Sequence, residues 1–471
     1  MSGGYSQVDF FEKEEQKKAV IGDHRNDRVK CFKKLYISFD NGENVKRFSD
    51  LLNQHITFST NFMWFKGGAV EPEDLRDFDT TVSKRSCNDE FFEKDPERLK
   101  FWKEMPQFIA EDLHPFKRIT MYFHTREDFF EFKDLLKQPM TERTTTIWYP
   151  HKPVTHRACY RYVNETGNGL SNPKYPIFIL SKGRAKCCLT AFEFERIGVP
   201  YHVVVEPQEY DEYCKYLPKD KIIATPFSNL GQGGIPSRNF IWELAIKTGA
   251  KRHWIMDDNI RRFYRFNNSF KWMVEDGTIF RAAEEFTDRF SNVDLSGLHY
   301  DFFCEQGAHH FPYIPNTRIY SCILIKNDLP FRWRGRYNED TDLSLRVLKR
   351  GDKLIEEGHP EAGGATILFN AFLAGKMATM TLQGGNTDIL YKGDGRLKMA
   401  ESLKAQHPDV TEVGWRYNRW QHWVDYSKWE NRKLIPFDKD YSFEDKIDDF
   451  GMVLKKVEVS DDENKESKEK E

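Results

Sequence analysis

The chain has no run of 18 apolar residues, so no membrane-spanning helix is expected. Its first residues, MSGGYSQVDFFEKEEQKK, contain no apolar core of the kind a secretory signal needs. Its eight cysteines are scattered, with one adjacent pair at Cys187-Cys188. No CxxC spacing occurs, which argues against a zinc ribbon and against a disulfide framework. The glycine-rich stretch Gly231-Gln232-Gly233-Gly234-Ile235-Pro236 fits neither the dinucleotide fingerprint nor the P-loop. Together these absences lead to the expectation of a reduced, cytoplasmic protein with no membrane partner.

What is abundant is aromatic. Of 471 residues 15% are aromatic, with 38 Phe, 20 Tyr and 11 Trp. That length suits two or three domains and a large core. The net charge of −3 hides an asymmetry. Residues 171–435 carry 37 Lys and Arg against 33 Asp and Glu, whereas residues 436–471 carry 7 against 13. A mildly basic body with an acidic tail permits a nucleic-acid partner without requiring one. The tail from 455 to 471 is rich in Asp, Glu, Lys and Ser and is expected to be disordered.

Residues 1–30 read as an N-terminal extension. The next segment, 31–152, contains an internal repeat. One copy spans 33–65 and the other 117–149, at a constant offset of 84. The offset matches Phe39 with Phe123, Phe48 with Phe132, Leu51-Leu52 with Leu135-Leu136 and Trp64 with Trp148. Each copy alternates apolar and polar residues, turns to helical spacing, and ends in a short β-prone run. That is a β-α-β unit, and two such units are expected to pair into one small α+β domain. Trp64 and Trp148 are either core residues or exposed rings for a DNA or protein partner.

Residues 151–173 read as a polar connection, and from Tyr175 strands alternate with helices. Strands are expected at Pro176–Leu180, Tyr201–Val205, Lys221–Ala224 and Ile319–Ile325. Helices are expected at Leu189–Ile197, at 208–216, and from Ser237, as N-cap, to Thr248. Residues 261–300 read as a loop and helices. The alternation over 171–435 predicts a parallel sheet covered by helices, a Rossmann-type architecture. His253-Trp254-Ile255-Met256 reads as a buried strand running into Asp257-Asp258-Asn259. Ligands of open α/β sheets sit beyond the carboxyl ends of strands, and hard oxygen ligands there suit a divalent cation carrying phosphates. The plainer alternative is an acidic turn. A second acidic cluster, Glu339-Asp340-Thr341-Asp342, opens a helix running through Arg350, where carboxylates also favour the helix dipole. Arg261, Arg262 and Arg265 flank the first cluster, and Arg332, Trp333, Arg334 and Arg336 the second. These basic and aromatic residues either hold phosphates of DNA or pack on one another at the surface.

This arrangement resembles the GT-A glycosyltransferases. The ordered set PIFILSKGRA, VVVEPQEY, PFSNLGQGGIPSRNFIWELA and HWIMDDNI narrows the likeness to the TET/JBP-associated glycosyltransferases, over roughly 175–425. That family includes the base J glucosyltransferase and phage enzymes acting on hydroxymethylated pyrimidines in DNA. The resemblance implies a GT-A-like mixed sheet with helices on both faces. It implies donor contacts from Ser181, Gly183, Arg184, Gln232, Arg238, Asn239 and Asp257. A divalent cation, Mn²⁺ or Mg²⁺, would be held by Asp257, Asp258 and Asn259, where an amide replaces the final carboxylate of the motif. His422, or else His407, would complete its shell. Asp340 would act as base, with Glu339 and Asp342 as alternatives. The implied donor is a nucleotide sugar, UDP-glucose by default, and the implied acceptor a hydroxymethylpyrimidine in phage DNA, shielding it from restriction. Two other outcomes stand beside this: a GT-A enzyme acting on a protein or glycan, and a non-enzymatic DNA-binding scaffold.

Overall fold

The computed structural model describes residues 31–66 apart from 58, 96–152, 159–377, 395–437 apart from 417, and 449–457. Residues 1–30 and most of the acidic tail lie outside this set. The described chain divides into two compact units, one of residues 31–66 and 112–152, the other of 96–111 and everything from 159 onward.

In the first unit β1 (Lys33–Phe39), α1 (Gly42–Leu52) and β2 (Phe62–Trp64) make the first copy of the repeat. The second copy is β3 (Lys117–Phe123), α2 (Arg126–Leu136) and β4 (Thr146–Trp148). Every element boundary repeats at the 84-residue offset. The sheet order is β2-β3-β1-β4, so each copy lends its last strand to the other copy's first. β1 and β3 run antiparallel, with Tyr36 opposite its own equivalent Thr120, which sets a pseudo-twofold axis between them. Leu35, Ile37 and Phe39 alternate inward with Ile119, Met121 and Phe123, and Val45, Phe48, Phe129 and Phe132 of the helices close over them. Asn41 caps α1 through the N–H of Asn44, and Thr125 with Asp128 forms a capping box on α2. Trp64 stacks on His124 at 3.9 Å, and the Lys152 ammonium lies 3.8 Å over Trp148. Both tryptophans are half-buried rather than core.

The second unit is one large mixed sheet. Its elements begin β5 (Tyr160–Asn164), β6 (Ile177–Leu180), α3 (Leu189–Ile197), β7 (His202–Val205), β8 (Ile222–Ala224), α4 (Ile235–Lys247) and β9 (Arg252–Asp257). They continue β10 (Ile260–Asn267), β11 (Phe270–Val274), α5 (Thr278–Asp288), β12 (Val293–Tyr300), β13 (Tyr313–Pro315) and β14 (Cys322–Lys326). Later come α6 (Glu339–Glu356), β15 (Ala365–Lys376), α7 (Gly395–Gln406), β16 (Thr411–Arg416), β17 (Arg419–Val424) and β18 (Met452–Lys456), while short helices lie at Pro96–Phe101 and, in place of the one expected at 208–216, at Tyr210–Tyr213. The strand order is β18-β5-β11-β10-β15-β12-β14-β9-β6-β7-β8, with β13 on β15. β9, β6, β7 and β8 are parallel, and β14 runs against both β9 and β12. Helices cover both faces. Trp254 and Met256 of β9 meet α3 and α5 in one core, and Ile255 meets α4 and α6 in the other. This is the GT-A-like mixed sheet expected from the resemblance.

Four local expectations are corrected. Residues 261–300 hold one helix, α5, as expected, but the segments on either side of it are the β10–β11 hairpin and β12 rather than loop. The polar connection 151–173 contains β5. Helix α4 opens at Ile235, with Pro236 in its first turn, and Ser237 is buried within it rather than capping it. Lys455 and Lys456, placed in the tail by composition, pair with Arg161 and Tyr160. The stretch between the repeat copies also returns to the second unit. Trp102 packs among Phe286, Tyr313, Phe369 and Phe372.

Candidate active site

The register pairs Leu180 with Asp257, which puts the loop after β6 beside the acids that end β9. Ser181 donates to Asp258 Oδ2 at 2.6 Å, and Arg184 to Asp258 Oδ1 at 2.6 Å. Tyr213 shares its hydroxyl with Ser181 and accepts the Arg184 N–H. Gly183 takes φ +65°, a conformation open to glycine, and its N–H points to Glu209. Asp258 is thus a buried anchor for the 181–184 loop. Burial raises its carboxyl against the pull of Arg184 and Ser181.

Asp257 faces the other way. Its Oδ2 accepts Lys376 Nζ at 2.7 Å and Ser321 Oγ at 2.7 Å, and its Oδ1 accepts Arg238 at 3.2 Å. Burial would raise it, but Lys376 and Arg238 hold it well below the usual carboxylate range. Lys376 ends β15 and also reaches the Tyr300 hydroxyl at 3.0 Å and Ser321 at 2.6 Å. Burial alone would lower Lys376, yet Asp257 and Tyr300 outweigh it and keep the ammonium charged.

Arg238 joins the two acidic motifs. It is almost fully buried, lies 4.8 Å from the Trp333 ring, and stands 3.5 Å from Glu339 and 3.6 Å from Asp340. Asp340 Oδ2 accepts the Ser321 N–H at 3.1 Å. Its Oδ1 is buried and accepts no hydrogen bond among the described residues. Burial pushes Asp340 up to about 6; Arg238 opposes this, while Glu339 and Asp257 add to it. The acids 257 and 340, 83 positions apart, therefore share one arginine and one serine.

Asp342 is elsewhere. It is buried and bound by His407 at 2.9 Å, Arg334 at 2.9 Å and Arg346 at 2.8 Å. Burial would raise it, but the His407 hydrogen bond and the two arginines hold it at about 2. It fastens α6 to the residue after α7, and of the alternatives for the base it is the one whose oxygens are already engaged. Asn239, on α4, accepts the Trp333 N–H and donates to the Trp333 carbonyl, so it pins the 331–338 loop. Gln232 is exposed in the glycine-rich loop.

The residues expected to hold a divalent cation do not converge. Asn259 is buried and donates to the Met377 carbonyl, Asp258 is occupied by Arg184 and Ser181, and His422 lies on β17 opposite Val413. Among the described residues no three His, Cys, Asp or Glu side chains come together as a metal group. Asp257, more open than Asp258 or Asn259, already faces two basic groups. The donor set does not fit the cation.

The expected phosphate contacts divide. Arg265 is fully buried against Asp449 and the Tyr162 ring, and Trp333 is buried between Trp242 and Arg238. Neither meets solvent, which corrects their reading as DNA contacts. Arg261 and Arg262 are half-buried on β10, Arg262 pairing with Glu193. Arg332 bonds Glu243, while Arg334 and Arg336 are exposed. Sequence reasoning missed Ser321, Tyr300 and Lys376. Each sits at a strand end, where nothing in its neighbours distinguishes it.

Acids gathered at the carboxyl edge of a parallel block, beside one reversed strand, set the second unit in the GT-A-like class of α/β proteins. Residues 175–385 match the family model described as TET-Associated Glycosyltransferase, and the chain carries a glycosyltransferase domain of that family. No curated protein matches the chain. Among the described residues no helix is long and apolar enough to cross a membrane.

Proposed function

We propose that this chain transfers a sugar, glucose from UDP-glucose by default, to the hydroxymethyl group of a modified pyrimidine in DNA. The biological setting of the proposal is phage DNA modification that blocks restriction, in the host cytoplasm. The observation that carries the transfer step is Asp340 Oδ1, a buried carboxylate oxygen with no hydrogen bond among the described residues, on a group raised to about 6 and tied to Asp257 through Arg238. The DNA acceptor rests on the family match.

In this reading the donor lies along the loops at 181–184 and 231–234, with Asp257 set by Lys376, Ser321 and Arg238 to accept from its ribose. Ser181 and Arg184, anchored on Asp258, shape the loop that meets its diphosphate. The acceptor oxygen forms a bond to the anomeric carbon, the bond from that carbon to the diphosphate breaks, and the hydroxyl proton passes to Asp340. A carboxylate raised toward neutrality is a better proton acceptor than an ordinary one and still ionised at pH 7. Arg238 limits the charge that builds among Asp257, Glu339 and Asp340.

The test is mass spectrometry of nucleosides from DNA containing 5-hydroxymethylcytosine or 5-hydroxymethyluracil, incubated with the protein and a panel of sugar nucleotides. A hexose- or pentose-sized gain on one base establishes the activity. Donor consumption with no gain on either base overturns the DNA acceptor in favour of a protein or glycan, and no donor binding at all overturns the transferase reading of this site.

A further inference from the structure

The β16–β17 ribbon has no part in the transfer step above. Its register sets Trp415 opposite Trp420 and Arg416 opposite Arg419 at the end nearest the turn. Thr411, Val413 and Trp415 share a face with Trp420, His422 and Val424, because side chains alternate along a strand. At the base of that face Thr411 and Val424 are buried, and Val424 packs with Leu345, Leu348, Leu403 and Trp429. At the far end Trp415 is 57% exposed and Trp420 40% exposed, their rings edge-on at 5.7 Å. An apolar face that begins in the core therefore runs out into solvent and ends in two indoles.

The opposite face is basic. The Arg416 guanidinium lies 4.2 Å from the Trp423 ring, and Arg419 is exposed directly across from it. Like charges facing each other on an antiparallel pair destabilise it. The one carboxylate on the two strands, Glu412, is at the base, opposite Trp423. Among the described residues no carboxylate stands within ion-pairing distance of either arginine. A tip with two exposed rings and two unneutralised guanidinium groups has the chemistry that binds bases by stacking and phosphates by charge-assisted hydrogen bonds.

One charge links the ribbon electrostatically to the neighbourhood of the site. The Arg318 charge acts on His422 of β17 and on Tyr426 just beyond it, and its guanidinium lies 4.8 Å from the Tyr320 ring. Tyr320 is 4.3 Å from Tyr300, whose hydroxyl meets Lys376 beside Asp257. A base in a duplex must leave its stack to reach a buried carboxylate, and the bases it leaves behind need new stacking partners.

We propose that the β16–β17 ribbon grips the DNA strand that carries the acceptor, with Trp415 and Trp420 stacking on bases and Arg416 and Arg419 holding phosphates. This rests on the DNA acceptor proposed above.

The test uses the full chain and two double variants, Trp415→Ala with Trp420→Ala and Arg416→Gln with Arg419→Gln. All four side chains lie outside the donor site, so donor hydrolysis and melting temperature serve as controls and should not move. Anisotropy of labelled DNA across a salt series is read beside co-sedimentation with phosphatidylserine vesicles. The tryptophan variant is expected to bind DNA about tenfold or more weakly. The arginine variant is expected to flatten the slope of log affinity against log salt by about 1.5. If the wild-type chain glycosylates DNA and both variants bind it as the wild type does, the ribbon proposal falls and the acceptor reading stands. If the wild type consumes donor but neither binds nor modifies DNA, both fall. Binding to the vesicles and not to DNA overturns the proposal in favour of a lipid surface.

Discussion

Two carboxylates two positions apart on one helix have opposite characters. Asp340 is raised to about 6, chiefly by burial, and Asp342 is held at about 2 by His407, Arg334 and Arg346 against burial. Asp340→Asn is expected to reduce transfer by about 10²-fold or more, in line with loss of a general base. The wild-type rate should rise with pH through an inflection near 6 as Asp340 ionises, and a pH–rate profile of the variant should lack that limb. The folded value of Asp340 lies above its ordinary one, so its stabilising effect is complete at acid pH and disappears as pH rises through about 6. Above that pH the ionised group strains the fold by about 3 kcal/mol. Asp340→Asn should then melt a few degrees higher than the wild type at pH 7.5, as read by calorimetry. Asp342 runs the other way: its folded value is depressed, so its contribution is present above its ordinary value and lost as pH falls through about 2. Asp342→Ala strands two arginines and a histidine and should destabilise the second unit by about 3–5 kcal/mol in urea unfolding.

At the scale of elements, the first turn of α6 explains the division. Successive residues of a helix turn by about 100° each, so positions 340 and 342 point to roughly opposite sides. One side faces Arg238 on α4 and the start of β14; the other faces His407 at the end of α7. Asn338 precedes the helix at φ +54° and, rather than capping it, donates its side-chain amide to the Met399 carbonyl, tying α6 to α7. The loop before α6 is held by α4 through the paired bonds of Asn239 to the Trp333 backbone. Asn239→Ala should free that loop and lower transfer by about tenfold while donor hydrolysis changes little, because the 181–184 loop is anchored separately on Asp258. Equal losses in both rates would show that Asn239 serves the donor site instead.

At the scale of the whole molecule, the site is an exchange of charge across the sheet edge. Lys376 arrives from β15, Arg238 from α4, and both meet Asp257 from β9. With Asp257 already facing two cations and its neighbours turned away, donor turnover is expected to survive EDTA largely intact. Collapse of turnover in EDTA, restored by Mn²⁺, would mean that a cation enters at Asp257 by displacing Lys376. Lys376→Met removes the ammonium and leaves the Asp257 charge poorly offset. It should impair donor binding, measured by calorimetry, more than it changes the melting temperature.

The sequence by itself determined the periodic elements. The 84-residue repeat marks two β-α-β copies because identical alternation buries identical faces, and the structure returns the same offset at each boundary. Leu189–Ile197 was legible as a helix because Gly198 follows it in the left-handed conformation. The parallel block and its acidic strand end were legible because buried strands are continuous apolar runs. Tertiary structure alone decided how the copies interlace, each giving its last strand to the other, since strand partners are chosen by distant residues. It decided that β5 and β18 extend the sheet and that Trp102 belongs with Phe286, for the same reason. It also decided which partners each acid takes. Asp257, Asp258, Asp340 and Asp342 look alike in the sequence; the cations that meet them come from Arg184, Arg238, Lys376, Arg334 and Arg346, and only folding brings those charges within hydrogen-bonding distance.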